Sequence, residues 1–254
     1  MIRGLYTAAS GMLAEMKRFN IIANNLANVN TTGFKEDFAT FRQLREMRIH
    51  RVNDPTGFKK IDLKPHIGNL GLGTQLERTY IDFSQGSLKR TNNRFDVAIE
   101  GEGFFTIETE EGIRYTRNGA FALDNEGYLI TKDGHRVLGE GGPIQLFSED
   151  VTITETGEVW EGEYFVDFLR IANFEDKTLM EKSEEGVFTY QGDPEDEIAA
   201  AVKVNQGFLE VSNVNAVKEM VKMINVTRAY EANQRVIRTH DELLGKAVND
   251  VARI

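Results

Sequence analysis

The sequence contains no cysteine, so disulfides and thiolate metal sites are excluded. Four histidines, His50, His66, His135 and His240, are far apart, and each lacks a His or Cys neighbour at zinc-ligand spacing. No run of about 20 apolar residues is present, so nothing is expected to insert in a membrane. The start, Met1-Ile2-Arg3-Gly4-Leu5-Tyr6, lacks the basic patch and apolar stretch of a cleaved secretory signal. A Gly-x-Ser-x-Gly elbow is missing. Gly68-Asn69-Leu70-Gly71-Leu72-Gly73 lacks dinucleotide-fingerprint spacing, and Asp124-Asn125-Glu126-Gly127 reads as a hairpin turn rather than a calcium loop. An acidic pair such as Glu100 with Glu158 is the remaining catalytic candidate. It lacks aromatic support, because the single tryptophan, Trp160, alternates as a core residue does. The expectation is a non-enzyme without cofactor or metal.

The net charge of −10 is unevenly spread. Residues 1–90 carry 14 Lys and Arg against 8 Asp and Glu, a net +6. Residues 91–205 carry 9 against 26, a net −17, and residues 206–254 carry 7 against 6, a net +1. An acidic middle argues against nucleic acid as its partner. It fits a solvated surface, like-charge spacing between copies, or attraction to a basic partner.

What is present is helical periodicity at both ends. From Ala216 a seam steps by four and three through Met220, Met223, Thr227, Tyr230, Gln234, Ile237, Asp241, Leu244, Val248 and Val251. Only Gly245 interrupts it, and Ser212, Asn213 and Asn215 offer acceptors to free first-turn amides. Val217, Val221 and Ile224 make its first half apolar on more than one face. At the other end Leu5, Ala9, Met12, Met16, Phe19, Ala23 and Leu26 repeat the spacing, widened by Leu13, Ile21 and Ile22. Asn24, Asn25, Asn28 and Asn30 before Thr31-Thr32-Gly33 predict a stop near Asn30. Two such helices predict pairing with each other or with neighbouring copies.

Between them, residues 34–90 read as an extended or β connector. It carries a basic run (Arg42, Arg45, Arg48, Arg51, Lys59, Lys60) and a turn at Asp54-Pro55-Thr56-Gly57. Short alternating segments then recur with glycine turns: 95–99, 104–108, 114–116, 120–123, 128–131, 135–138, 144–147, 151–154, 158–160 and 164–171. That spacing predicts an antiparallel sandwich or irregular barrel. Residues 175–205 look looser and acidic, with a turn at Gly192-Asp193-Pro194. The fold class is therefore α+β, with long coiled-coil-like N- and C-terminal helices flanking a central antiparallel β domain. Its segments are 1–33, 34–90, 91–205 and 206–254.

Four stretches resemble one family. Asn24-Asn25-Leu26-Ala27-Asn28 with Thr31-Thr32-Gly33-Phe34-Lys35 is similar to the amino-terminal signature of the bacterial flagellar axial proteins, the rod and hook family. Asp96–Phe105 resembles the family's entry into its β domain. Tyr115-Thr116-Arg117-Asn118-Gly119-Ala120-Phe121 with Gly127-Tyr128-Leu129 resembles its first hairpins. Ser212-Asn213-Val214-Asn215, Met223-Ile224 and Arg228–Asn233 resemble its carboxy-terminal signature. The absence of a large insertion fits rod members better than the hook protein; Val137–Ile144 looks closer to the proximal rod protein, while the start, Met1-Ile2-Arg3-Gly4-Leu5, is equally like the distal one.

The resemblance implies a structural subunit of the basal-body rod. It implies export unfolded through the flagellar type III apparatus, without a cleaved signal, into the cell-envelope space. It also implies assembly with copies of itself and with other rod and hook proteins, the terminal helices forming an inner layer. The assembly surface expected on this basis is Leu5, Met12, Met16, Phe19, Ile22, Asn24, Asn25, Leu26, Asn28, Met220, Met223, Ile224, Tyr230, Ile237, Leu244 and Val248. A coiled-coil adaptor with a ligand-binding acidic β domain is the alternative, and a secreted carbohydrate hydrolase comes third.

Overall fold

The computed structural model describes residues 2–44, 46–50, 66–148, 150–183, 186–193, 196–199 and 202–251. The expected turn at 54–57 and the cations Arg45, Arg51, Lys59 and Lys60 lie outside the described residues, as does Pro194. The chain divides into two compact units that do not follow its order. One contains residues 1–24, 37–80 and 217–254, and the other residues 25–36 and 81–216. No helix among the described residues is long and apolar enough to cross a membrane.

The first unit is built on the two terminal helices, α1 (Ile2–Ala27) and α2 (Ala216–Val251). At 36 residues, α2 is a rod of roughly 54 Å at 1.5 Å per residue. The helices run antiparallel: a Cβ on Gly4 would meet the His240 ring at 2.6 Å, and one on Gly11 would meet the Asn233 amide at 3.0 Å. Glycine at these two positions lets the backbones approach. The covered line of α2 is therefore Met223, Val226, Tyr230, Asn233, Ile237, His240, Leu244 and Ala247, in strict steps of three and four. Half of the expected seam is in place, at 223, 230, 237 and 244. The other half is rotated by one residue, because small residues of α1 accept the bulkier polar His240 and Asn233.

α1 ends at Ala27, three residues before the expected stop. Asn28 is already in a turn, its side chain accepting from Thr31 Oγ1 at 3.1 Å, and the chain reverses at Gly33. A second face of α1 carries the connector. Thr7 Oγ1 donates to Leu72 O at 3.2 Å, the Thr74 N–H donates to Ser10 Oγ at 3.3 Å, and the Arg18 guanidinium lies 5.4 Å from the Phe41 ring centre. That connector is a pair of two-stranded ribbons, Glu36–Gln43 with Thr74–Asp82 and Glu46–His50 with His66–Gly71. The second ribbon brings His50 and His66 to 5.7 Å ring to ring, a proximity that their sequence separation conceals.

The second unit is antiparallel β among its described strands, which do not close into a barrel. Its main sheet runs from Met180–Lys182 through Val187–Tyr190, Gly112–Thr116, Phe104–Thr109, Arg136–Val137 and Leu129–Thr131 to Phe121–Leu123. Ile171–Phe174 also pairs with Phe104–Thr109, and Glu197–Ala199 in turn pairs with Ile171–Phe174. Phe104–Thr109 is central because it is covered on both faces. Phe105 and Ile107 enter one apolar cluster with Val97, Ile99, Leu129, Val137 and Val159, whereas Phe104 enters another with Tyr115, Phe174, Met180 and Phe188.

Three segments depart from the sequence reading. Residues 144–147 form only an isolated bridge at Gln145, although Ile144 and Leu146 are buried. The expected single strand 164–171 is two, Tyr164–Phe168 and Ile171–Phe174, in different sheets. Residues 175–205 contain four short strands rather than loose chain. Trp160 is not a core residue: Val159 takes that place, and strand alternation puts Trp160, half-buried, on the opposite side.

Burial, and secondarily the charge of Glu197, raise the Tyr115 phenol above its ordinary value. The folded state thus keeps a proton that the unfolded chain releases above pH about 10, so stability falls as pH rises past that point. Tyr115→Phe is expected to flatten this alkaline loss, measured as the denaturant midpoint between pH 8 and 11. Tyr190, shifted in the same direction, leaves part of the slope in place.

Candidate assembly site and its buried clasp

In the second unit parts of the four stretches singled out in the sequence, at Lys35, Ile99 to Gly101, Arg117 and Asn213, gather about one carboxylate. Glu210 ends the short strand Phe208–Glu210 and is 2% exposed. Its Oε1 accepts from Lys35 Nζ at 2.6 Å and from the Gly86 N–H at 2.8 Å, and its Oε2 accepts from Arg117 Nη1 at 3.3 Å. Both cations are as deeply buried as the acid. Lys35 also donates to Ser84 O at 2.8 Å, and Arg117 to the carbonyls of Ile99 and Gly101. The Arg117 guanidinium sits 5.5 Å from the Phe104 ring centre.

Loss of hydration pulls the Lys35 ammonium and the Arg117 guanidinium below their ordinary values, and Glu210 opposes that in both. One acid against two buried cations makes Glu210 the group the arrangement cannot spare.

The segment that brings Lys35 here is fixed residue by residue. The Gly33 N–H donates to Glu210 O at 2.8 Å, and Thr32 Oγ1 to Asn118 Oδ1 at 2.7 Å. Gly33 has φ 70°, and a Cβ there would lie 2.5 Å from the Arg117 carbonyl carbon, so only glycine fits. Phe34 is buried under Lys182, whose Nζ lies 3.4 Å from the ring centre and donates to Lys35 O at 3.0 Å. Asn213 closes the clasp: its Nδ2 donates to Asp82 O at 2.8 Å and its Oδ1 accepts from the Glu36 N–H at 2.8 Å. Asn213 thus ties loops together and is not the helix cap its position suggested. Ser212 accepts from the Val214 N–H at 3.2 Å, before the helix begins.

The expected assembly residues fall into three groups. Ile22 and Asn25 are buried. Leu5, Met12, Leu26, Asn28, Met223, Tyr230, Ile237 and Leu244 are half-buried. Met16, Phe19, Asn24, Met220, Ile224 and Val248 are exposed, the last three at 47%, 53% and 65%. The expectation omitted Lys35, Arg117 and Glu210. Lys35 and Arg117 lie inside stretches quoted for the resemblance, so a charged residue set among apolar and glycine positions was the available signal. Glu210 carried none.

The whole length of the chain is matched by known proteins. It is 37% identical to the flagellar basal-body rod protein FlgG of Borreliella burgdorferi over 98% of both chains. The chain belongs to the flagellar basal-body rod protein family. It is also 37% identical to FlgG of Agrobacterium fabrum, over 95% of this chain and 97% of that one. To the flagellar hook-basal body complex protein FlhO of Bacillus subtilis it is 30% identical over the full length of both.

Three family models agree in order. Residues 5–35 match the flagella basal body rod protein model, 98–160 the flagellar hook protein FlgE/F/G D1 domain, and 205–250 the flagellar basal body rod FlgEFG protein C-terminal model. As a member of this family the protein is a structural component of the basal-body rod. The clasp is where segments of all three matched regions converge, through Lys35, Arg117 and Glu210.

Glu210→Gln is expected to cost about 3–5 kcal/mol, because it leaves two buried cations unopposed, and to cost more than Lys35→Met. With Glu210 gone, Lys35 loses the main attraction raising its pKa. The variant's folded state then binds fewer protons than its unfolded state, so its stability rises with pH and the loss relative to the parent narrows. Urea midpoints across pH 7–10 measure both effects.

Proposed function

We propose that this rod-family protein polymerises through its terminal helices, with copies of itself and with other rod and hook proteins, into a torque-transmitting shaft. The β unit serves as an outer structural body without catalysis. The carrying observation is the surface that the paired helices leave uncovered. α2 exposes Val217, Met220, Val221 and Ile224 along its first two turns, and Val236, Leu243 and Val248 further on. α1 exposes Tyr6, Leu13, Met16 and Phe19, and beside Tyr6 and Leu13 an apolar groove of about 500 Å³ is lined by Leu44, Met47 and Leu72.

The intrachain seam, by contrast, carries Asn233 and His240. The helix pair buries one apolar line that includes these polar residues and leaves a second set of large apolar residues exposed, more than a finished monomer leaves on one element. Contacts of this kind between different patches on successive copies do not close, and they yield a filament. Export unfolded through the flagellar type III apparatus into the cell envelope is consistent with a chain that contains no cysteine.

Met220→Asp and Ile224→Asp are expected to abolish swimming and incorporation into hook–basal bodies while circular dichroism and melting of the purified chain stay unchanged. Normal motility in both variants would overturn the assignment. Mass spectrometry of wild-type hook–basal bodies supplies the second arm. A few copies per particle place the protein in the proximal rod and tens in the distal rod. Absence, together with a small closed oligomer in solution, would favour the adaptor.

A further inference from the structure

The ribbon of Glu46–His50 with His66–Gly71 ends its described register on two histidines that face each other across the strands. Glu46, Arg48 and His50 share one face by alternation, and Asn69 joins them as the cross-strand partner of Arg48. Strict alternation would put His66 on the opposite face, with Gly68 and Leu70. A bulge prevents this. Ile49 pairs with Gly68 and His50 with His66, so Ile67 is the extra residue and His66 turns to the face of His50. The contacts agree: the two rings lie 5.7 Å apart at 69°, and His66 also reaches Asn69. Both histidines are exposed.

The Asn69 amide decides which nitrogen of a neutral His66 carries the proton. Its Nδ2 donates to Glu46 Oε2 at 2.6 Å, which turns its Oδ1 toward His66 Nε2 at 3.0 Å. An amide oxygen only accepts, so His66 Nε2 donates and Nδ1 keeps the ring's lone pair. An imidazole whose other N–H is held by an oriented acceptor is the arrangement found around ligating histidines. Two imidazoles on one tetrahedral ion, at Zn–N distances of about 2.1 Å, have ring centres roughly 5 Å apart. The pair is close to that separation without an ion.

We infer that His50 and His66 form a binding site for a divalent transition ion that favours imidazole: Zn²⁺, Ni²⁺ or Cu²⁺. Formal charge on this face cancels, Glu46 against Arg48, so a hard cation such as Mg²⁺ finds neither net attraction nor an oxygen cage there. Imidazole nitrogen selects the softer ions instead. Among the described residues no group of three His, Asp or Glu comes together, so solvent fills the ion's remaining positions and the site stays open. A two-stranded ribbon is marginal by itself, and an ion held from both strands pins its bulge and register. None of these residues belongs to the helix stripes, so failure of this inference leaves the assembly reading intact.

The full-length chain without an affinity tag holds only four histidines, so proton NMR of their ring C–H signals is a direct readout. Zinc chloride is expected to shift two of these signals, the ones missing from His50→Gln and His66→Gln, and calorimetry to count one ion per chain. Either single substitution should remove the one-to-one binding, Asn69→Ala should weaken it about tenfold, and His135→Gln should leave it unchanged. Zinc should raise the melting temperature of the parent and not of the double variant His50→Gln/His66→Gln. Equal binding of magnesium chloride, or zinc binding undiminished in the double variant, would overturn the inference in favour of scattered carboxylates. Histidine signals that stay in place at millimolar zinc would overturn it outright.

Discussion

Glu210 holds the β unit to its amino-terminal segment. Its single negative charge, buried between Lys35 and Arg117, joins parts of the chain 175 and 93 residues away. Burying three charges is costly in itself, and hydrophobic residues of similar volume could fill the space. What the ions add is exclusivity: only one strand, one reversed segment and one hairpin bring the correct partners, so a slipped register leaves a bare charge. Gly33, Asn118 and Asn213 then satisfy the backbone around that node.

The helix pair works by a different logic. Its register is marked by absence of bulk, with Gly4 beneath His240 and Gly11 beneath Asn233. The heptad spacing was legible because a helix repeats its faces regardless of partner. The choice between adjacent lines was not, because it depends on the opposing helix. Gln234 and Asp241 look as suitable for a seam as Asn233 and His240 until the glycines are placed opposite. The apolar residues displaced from the intrachain seam, Met220 and Val248, stay exposed.

The same distinction separates the readable from the unreadable in the β unit. Strands such as 104–109 and 121–123 announced themselves through alternation and glycine turns, local properties of the chain. Residues 175–205 looked unstructured because their strands are three or four residues long and acidic, and they gain order from neighbours such as Gly112–Thr116 and Ile171–Phe174. Trp160 was misassigned because a strand of this length offers two alternating faces, and which of Val159 and Trp160 turns inward is set by the sheet's packing on the core rather than by the strand itself. Lys35 and Arg117 were visible as parts of recognisable stretches, yet nothing local tells that two distant cations share one acid.

The separation between Lys35 and Glu210 also sets a timetable. A chain that enters its compartment amino terminus first delivers Lys35 early and Arg117 midway. Their common acid follows 175 residues after Lys35 and 93 after Arg117. Until then the two cations lack the carboxylate they share and remain better hydrated than buried. The final closure of the β unit is therefore timed to the arrival of α2, the next element in the chain.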